Sequence, residues 1–227
     1  ERYATAGKST QSRLAISSQH YYFSVQAFTM TVDAFEGEEY DFILRECATG
    51  EIIHDVSTFR SEAGILYTDD FNMRVLSHAF EEANVTFSPL FRAKPHVFVG
   101  AHHPLATREL LTTDDLAEYP RYSFEQGTMN SFYYAEEPLA FLPHKKNIRY
   151  SDRGTLTNLL THYTGYTLST GVLSEEMLAG IVSIPLETNV EMQVGYIMHK
   201  ERKPSFLLDR YIANLRSLVG EDPTVSS

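Results

Sequence analysis

The chain has 227 residues, 43% hydrophobic and 22% charged, with a single cysteine, no tryptophan and a formal net charge of −11. That length admits one large domain or two small lobes with a sizeable core, and the composition excludes a disordered, collagen-like or disulfide-stapled chain. The acidity excludes a chain that grips phosphate backbones by itself, because non-specific nucleic-acid affinity comes from Lys and Arg neutralising phosphates.

Residues 1–12 are small and polar without an apolar period, and are expected to form a tail or linker remnant. Arg13-Leu14-Ala15-Ile16 predicts a strand, followed by the polar turn Ser17-Ser18-Gln19-His20. Val25, Phe28, Val32 and Phe35 recur at helical spacing and predict a buried helix face, with Gly37 at its C-terminus. Residues 40–45 and 63–67 read as strands on either side of a short helix over 50–56. Asp69 or Asp70 is placed to cap a helix whose stripe is Met73, Leu76, Phe80 and Ala83. Two β-rich runs follow at 86–92 and 96–101. Thr112 and Asp115 mark a helix start that Pro120 stops.

The second half repeats this pattern. A strand at 122–124 enters the loop Glu125-Gln126-Gly127-Thr128, and a helix is expected over 130–135. A short strand at 148–150 precedes a helix capped by Ser151 or Asp152, with Leu156, Leu159, Leu160 and Tyr163 inward and Gly165 closing it. A strand at 166–169 leads into Thr170-Gly171, and β-runs at 181–186 and 192–198 precede a last helix over 205–219 that Gly220 ends. Alternation of strand and helix predicts an α/β chain with mostly parallel sheets.

Enzyme chemistry finds little support. There is no GxGxxG, P-loop, G-x-S-x-G or H-E-x-x-H sequence. Adjacent His102 and His103 diverge on either a strand or a helix, so no metal site is expected. Cys47 is too solitary for a disulfide or a thiolate zinc cage and reads as a small buried thiol, a usage that fits a reducing compartment. The acidic pairs Glu38-Glu39, Glu81-Glu82, Glu136-Glu137 and Glu175-Glu176 read as solvated surface charge. No cofactor or catalytic residue is assigned. No apolar run approaches the ~20 residues that span a bilayer, and a cytoplasmic location without membrane attachment is expected.

Four polar turns after strands remain: Ser17-Ser18-Gln19-His20, Tyr67-Thr68, Gln126-Gly127-Thr128 and Thr170-Gly171. In open α/β sheets ligands bind outside the carboxyl ends of strands, where helix N-termini offer unpaired N–H groups. Each turn alone reads as a cap. Four at similar places in two halves point to a shared cleft.

Ala101-His102-His103-Pro104-Leu105-Ala106, directly after an apolar strand, resembles the "HPLA" signature of LysR-type transcriptional regulators. The Asp-Asp-Leu segment at 114–116, Pro120, the Ala63-Gly64-Ile65-Leu66-Tyr67 strand, the strand–Gly turn at 166–172 and the C-terminal helix follow in that family's order, so the resemblance spans about 13–219. It implies an effector-binding domain of the type 2 periplasmic-binding-protein fold, in which two α/β lobes are joined by two crossover strands and a small molecule binds between them. Carried onto this chain, it implies lobe I at 13–99 plus 192–219, lobe II at 100–191, and a C-terminal tail at 220–227. The implied effector contacts are Ser17, Ser18, Gln19, Thr68, Gln126, Gly127, Thr128 and Thr170, with Arg153 either a counter-charge for an anionic effector or a solvent-exposed side chain. The implied partners are a small polar or anionic metabolite, a second copy in a homodimer or homotetramer, and DNA only through an N-terminal winged helix-turn-helix that nothing before Arg13 supplies. On this reading the chain is a truncated regulator. The alternatives are a secreted solute-binding protein of the same fold, or an enzyme on that fold acting on a small acid.

Overall fold

The computed structural model describes residues 11–129, 131–172 and 180–219. Among the described residues, ten strands and five α-helices follow in order: β1 (Ser12–Ser18), α1 (Tyr22–Asp33), β2 (Tyr40–Glu46), α2 (Thr49–Ser57), β3 (Ala63–Thr68), α3 (Met73–Glu82), β4 (Val85–Ala93), β5 (His96–Gly100), β6 (Arg121–Phe124), β7 (Asn147–Tyr150), α4 (Arg153–His162), β8 (Tyr166–Ser169), β9 (Ile181–Pro185), β10 (Met192–His199) and α5 (Phe206–Val219). Short 3-10 turns at Asp114–Leu116 and Phe132–Tyr134 break the long connections. The ends of the expected tails, residues 1–10 and 220–227 with Gly220, lie outside the described residues, as do Asn130 and the Glu175-Glu176 pair.

The strands form two five-stranded sheets, ordered β2-β1-β3-β10-β4 and β7-β6-β8-β5-β9. Each has a parallel triplet, β2-β1-β3 or β7-β6-β8, extended by two further strands through antiparallel pairings. Parallel strands need crossover connections, and α1 and α2 in the first sheet and α4 in the second supply them. The result is the pair of α/β lobes that the resemblance implies.

The lobe bounds that the resemblance implies put the first crossing near Val99-Gly100. The ladder instead puts His96–Gly100 wholly in the second sheet, paired to both β8 and β9, so the chain passes between sheets at Lys94-Pro95. Proline has no N–H to continue a ladder, which suits that break. The return passes through residues 186–191 and lies beside the first crossing: Leu186 N donates to Pro95 O at 3.1 Å, and Met192 pairs with Ala93.

Both faces of the first sheet are buried. One packs on α1 and α5 through Leu14, Ile16, Phe23, Ala27, Tyr211 and Leu215, and the other on α2 and α3 through Ile52, Val56, Leu66, Leu76 and Phe80. In the second lobe, Val97, Val99, Leu168 and Ile184 pack on one side, with Phe98, Tyr122, Leu156 and Leu160 on the other.

Several local expectations are corrected. β1 runs through Ser18, because Ser17 and Ser18 pair with β2 and β3, so the turn begins at Gln19. Helix α1 buries Phe23, Ser24, Ala27 and Thr31, whereas Val25, Phe28, Val32 and Phe35 are half-buried. Polar pairs with α5 explain this: Ser24 Oγ and Tyr211 Oη lie 2.8 Å apart, and Asn214 Nδ2 donates to Thr31 Oγ1 at 2.9 Å. The helix ends at Asp33, four residues before Gly37. Met73 and Tyr163 are exposed rather than inward.

Candidate functional site

The carboxyl ends of β1, β2 and β3 and the N-termini of α1 and α2 face the carboxyl end of β6, the 125–137 segment and the start of α4. This is the cleft expected between the lobes, and the chain's own side chains bridge it at several points.

Closest to its centre, Glu136 accepts from the backbone N–H of His20 at 3.1 Å and meets the His20 ring Nδ1 at 2.9 Å. Both side chains are only 6% exposed. The imidazole stacks on Phe124, with ring centres 3.5 Å apart. An acceptor in front of a helix start is favoured by the unpaired N–H groups there, and the turn before α1 presents one to this carboxylate. Nearby, Thr49 N–H in the first turn of α2 donates to Gln126 Oε1 at 3.1 Å, and Tyr67 Oη donates to the Glu137 carbonyl at 3.2 Å. At the rim, Arg153 Nε pairs with Glu46 Oε2 at 2.9 Å, and its guanidinium lies 4.5 Å from the centre of the Tyr22 ring. Arg153 is therefore engaged with Glu46 and Tyr22, and is neither a bare counter-charge nor solvent-exposed.

Glu136 and Glu137 overturn the surface reading of that pair, since both are buried. Phe124 N–H donates to Glu137 Oε1 at 2.8 Å, and the Arg121 guanidinium fixes the following turn by donating to the Pro138 and Leu139 carbonyls. Burial, with the Glu136 carboxylate adding to it, pushes the Glu137 carboxyl up to about 7. The segment before them leaves the second lobe. Tyr134 packs among Ile52, Ile53, Leu66 and Leu76 of the first lobe, and Phe71 stacks on Tyr133. This explains why the helix expected over 130–135 is reduced to one 3-10 turn among the described residues: Tyr133 and Tyr134 are drawn to the other lobe, while Phe132 stays exposed.

Two spaces flank the His20–Phe124 stack, and both residues line each of them. A pocket of about 40 Å³, bounded also by Tyr22, Glu137, Tyr150 and Thr167, has room for about one water. On the other side opens a groove of about 960 Å³, bounded by Glu46, Ala48, Glu51, Gln126, Gly127 and Thr128 among others. Small-molecule sites typically have ~300–1,000 Å³. Gly127 sits at φ +56°, a conformation that leaves the loop backbone open toward this space.

The expected contacts fall into two sets. Gln126, Gly127 and Thr128 line the groove. The others do not line it. Ser17 Oγ donates to Asp55 Oδ2 at 2.7 Å and lies 2.8 Å from Ser61 Oγ. Ser18 Oγ donates to the Gln19 carbonyl. Gln19 donates to Thr49 Oγ1 at 2.7 Å and accepts from Tyr67 N–H and Tyr21 Oη, so one buried amide fixes the turn, the start of α2 and β3 together. Thr68 is fully buried, and its hydroxyl has no partner among the described residues. Thr170 Oγ1 accepts from Val172 N–H, next to Gly171 at φ +76°. Sequence reasoning put His20 in a cleft turn without assigning it a role, and missed Glu46, Glu136 and Glu137 as cleft residues. The Glu-Glu-Pro step between Phe132-Tyr133-Tyr134 and Leu139-Ala140-Phe141 was the available signal, since acids flanked by aromatic runs are poorly placed for free solvation.

Of the other candidates, Cys47 borders the groove and His103 lies in the second lobe. His103 is buried, and its Nδ1 accepts from Leu105 N–H at 3.1 Å, which organises the turn after β5. Burial, assisted by His102, lowers its proton affinity. Among the described residues no group of three His, Cys, Asp or Glu side chains is arranged to hold a metal ion. Burial, with Asp55 and Glu51 adding, pushes the Cys47 thiol up to about 12, which leaves little thiolate at neutral pH. No helix among the described residues is long and apolar enough to cross a membrane.

A family model described as the LysR substrate binding domain matches residues 39–219. Among solved structures, the reduced OxyR regulatory domain from Pseudomonas aeruginosa is similar, with 15% identity, a TM-score of 0.65, and coverage of 91% of this chain and 98% of that one. HinK, a LysR family transcriptional regulator from Pseudomonas aeruginosa, has 13% identity and a TM-score of 0.60 over 92% of this chain and 71% of its own. The effector binding domain of QuiR in complex with shikimate has 13% identity and a TM-score of 0.60 over 91% and 96%. At these identities the likeness is one of fold. No curated protein matches the chain.

Proposed function

The chain belongs to the LysR substrate-binding domain family, the effector-binding regulatory part of LysR-type transcription regulators, and from that premise we propose that a small polar metabolite binds in the groove between the two lobes. The observation that carries this reading is the groove itself. It is large enough for a metabolite and is bounded on one side by the start of α2 and on the other by Gln126, Gly127 and Thr128. In this proposal those three residues touch the effector, Ser17, Ser18 and Gln19 hold the opposite wall in place, and Thr68 and Thr170 stand at the strand ends where closure would bring further polar groups.

The chain acts by binding rather than by turnover. An effector that contacts both walls changes the balance between lobe arrangements, and a ligand with equal affinity for each arrangement would move nothing. The bridges His20–Glu136, Arg153–Glu46 and Thr49–Gln126 define the arrangement the effector acts on. The lobe division suggested by the sheets is near 94–95 and 186–191. A homodimer or homotetramer would carry the shift to DNA-binding heads in the cytoplasm.

Thr128 is exposed on the groove wall, so Thr128→Trp should obstruct the groove beside Gln126 and Gly127 and leave the fold intact. A thermal-shift screen of metabolites identifies binders, and calorimetry then compares the two chains. We expect at least tenfold weaker binding at an unchanged melting temperature. Equal affinity for both chains would contradict the assigned groove.

A further inference from the structure

The inference rests on the effector reading above and concerns the chemistry of the ligand. Two buried polar atoms of residues that line the groove have no hydrogen-bond partner among the described residues. The first is Glu46 Oε1, at the end of β2: Arg153 holds the other oxygen, and this one is left as a bare carboxylate acceptor. The second is Gln126 Nε2. Gln126 is only 6% exposed, and the Thr49 N–H fixes which end of its amide is oxygen, because a backbone donor needs an acceptor there. The nitrogen is then a donor without an acceptor.

The remaining charges around the groove are already committed or exposed. Asp55 pairs with Arg60, Glu51 accepts from Ala48 N–H, and Arg45 donates to the Arg60 carbonyl and Ser61 Oγ. His20 is held by Glu136, while His54 and Glu125 are exposed. Four carboxylates line the groove against two guanidiniums, both of which already donate within the protein. A buried carboxylate oxygen without a donor is matched best by a cationic one, since charge-assisted hydrogen bonds are the stronger kind. Burial holds the Glu46 carboxyl above its usual range despite Arg153, and a second cation would offset that.

We propose that the groove takes a small molecule carrying a primary ammonium group, which Glu46 Oε1 receives, while Gln126 Nε2 donates to an acceptor elsewhere on the same molecule. This narrows the expected class from a small polar or anionic metabolite to an amine or amino acid.

The test titrates the chain by calorimetry with the standard L-amino acids and putrescine, each paired with its N-acetylated form. A second set of carboxylic and sugar acids without amines is run in parallel. We expect at least one free amine to bind, its N-acetylated form to bind at least tenfold more weakly, and Glu46→Gln to abolish that preference. Equal binding of the free and acetylated forms would overturn the proposal, and that comparison needs no variant if Glu46→Gln fails to fold. Binding by a non-amine acid that Thr128→Trp abolishes, with every amine silent, overturns this inference and leaves the effector reading standing. Silence from both sets counts against both.

Discussion

His20→Ala is expected to destabilise the folded chain by about 3 kcal/mol, because it removes a buried hydrogen bond to a carboxylate together with the stack on Phe124. For a chain of this size that corresponds to a fall in melting temperature of about 6–12 °C. The loss is large because of what stays behind: Glu136 remains almost wholly covered and, among the described residues, keeps only the His20 backbone N–H as a donor. Thermal melting followed by circular dichroism checks this. A shift within about 2 °C would mean that the pair across the lobes contributes little, contrary to the usual cost of orphaning a buried carboxylate.

Glu137→Gln is expected to act in the opposite direction. Burial and the neighbouring Glu136 raise the folded-state pKa of Glu137 from 4.5 to about 7. A carboxyl group raised in this way favours the folded state when protonated. Its contribution is fully present below the unfolded value and is lost as pH rises through the folded one, so the native chain loses stability between about pH 4.5 and 7. Glutamine keeps an acceptor for the Phe124 N–H and never ionises. The variant should therefore be more stable by on the order of 2 kcal/mol at pH 8, or about 4–8 °C in melting temperature, and nearly neutral at pH 4.5. Parallel melts of both chains at the two pH values give the answer. A variant less stable at pH 8 would show that the carboxylate form makes a compensating contact.

How far the sequence discloses this molecule differs between scaffold and site. The alternation of strand and helix is legible because apolar runs and helical stripes report burial directly: β3 reads as Ala63-Gly64-Ile65-Leu66-Tyr67 and is buried along its whole length. Asp152 is legible as a cap and accepts from Thr155 N–H at 2.8 Å. The existence of helix α1 is legible but its buried face is not, because it meets α5 through Ser24 and Thr31, and a period of apolar residues does not register a seam built on hydroxyls. The first crossing is not legible because apolar residues of β4 and β5 flank Lys94-Pro95 on both sides, and only pairing with β8 and β9 assigns β5 to the second sheet.

In the site, the turn residues are legible as a set, but their division of labour is not. Ser17 and Gln126 look alike as polar groups after strands, yet one is closed in by Asp55 and Ser61 and the other borders the groove. His20 and Glu136 are 116 residues apart in the chain, and their meeting depends on how the two lobes face each other. No local pattern encodes that distance. Glu46, by contrast, looks like any acid at a strand end until Arg153 and the groove appear beside it.

A crystal structure of the chain soaked or co-crystallised with the tightest ligand from the thermal-shift screen tests the central claim most directly. The account predicts ligand density between the lobes, against Gln126, Gly127 and Thr128 on one side and the start of α2 on the other. Density lying instead in the separate cavity of the second lobe, lined by Leu116, Leu142 and Lys145, would contradict it.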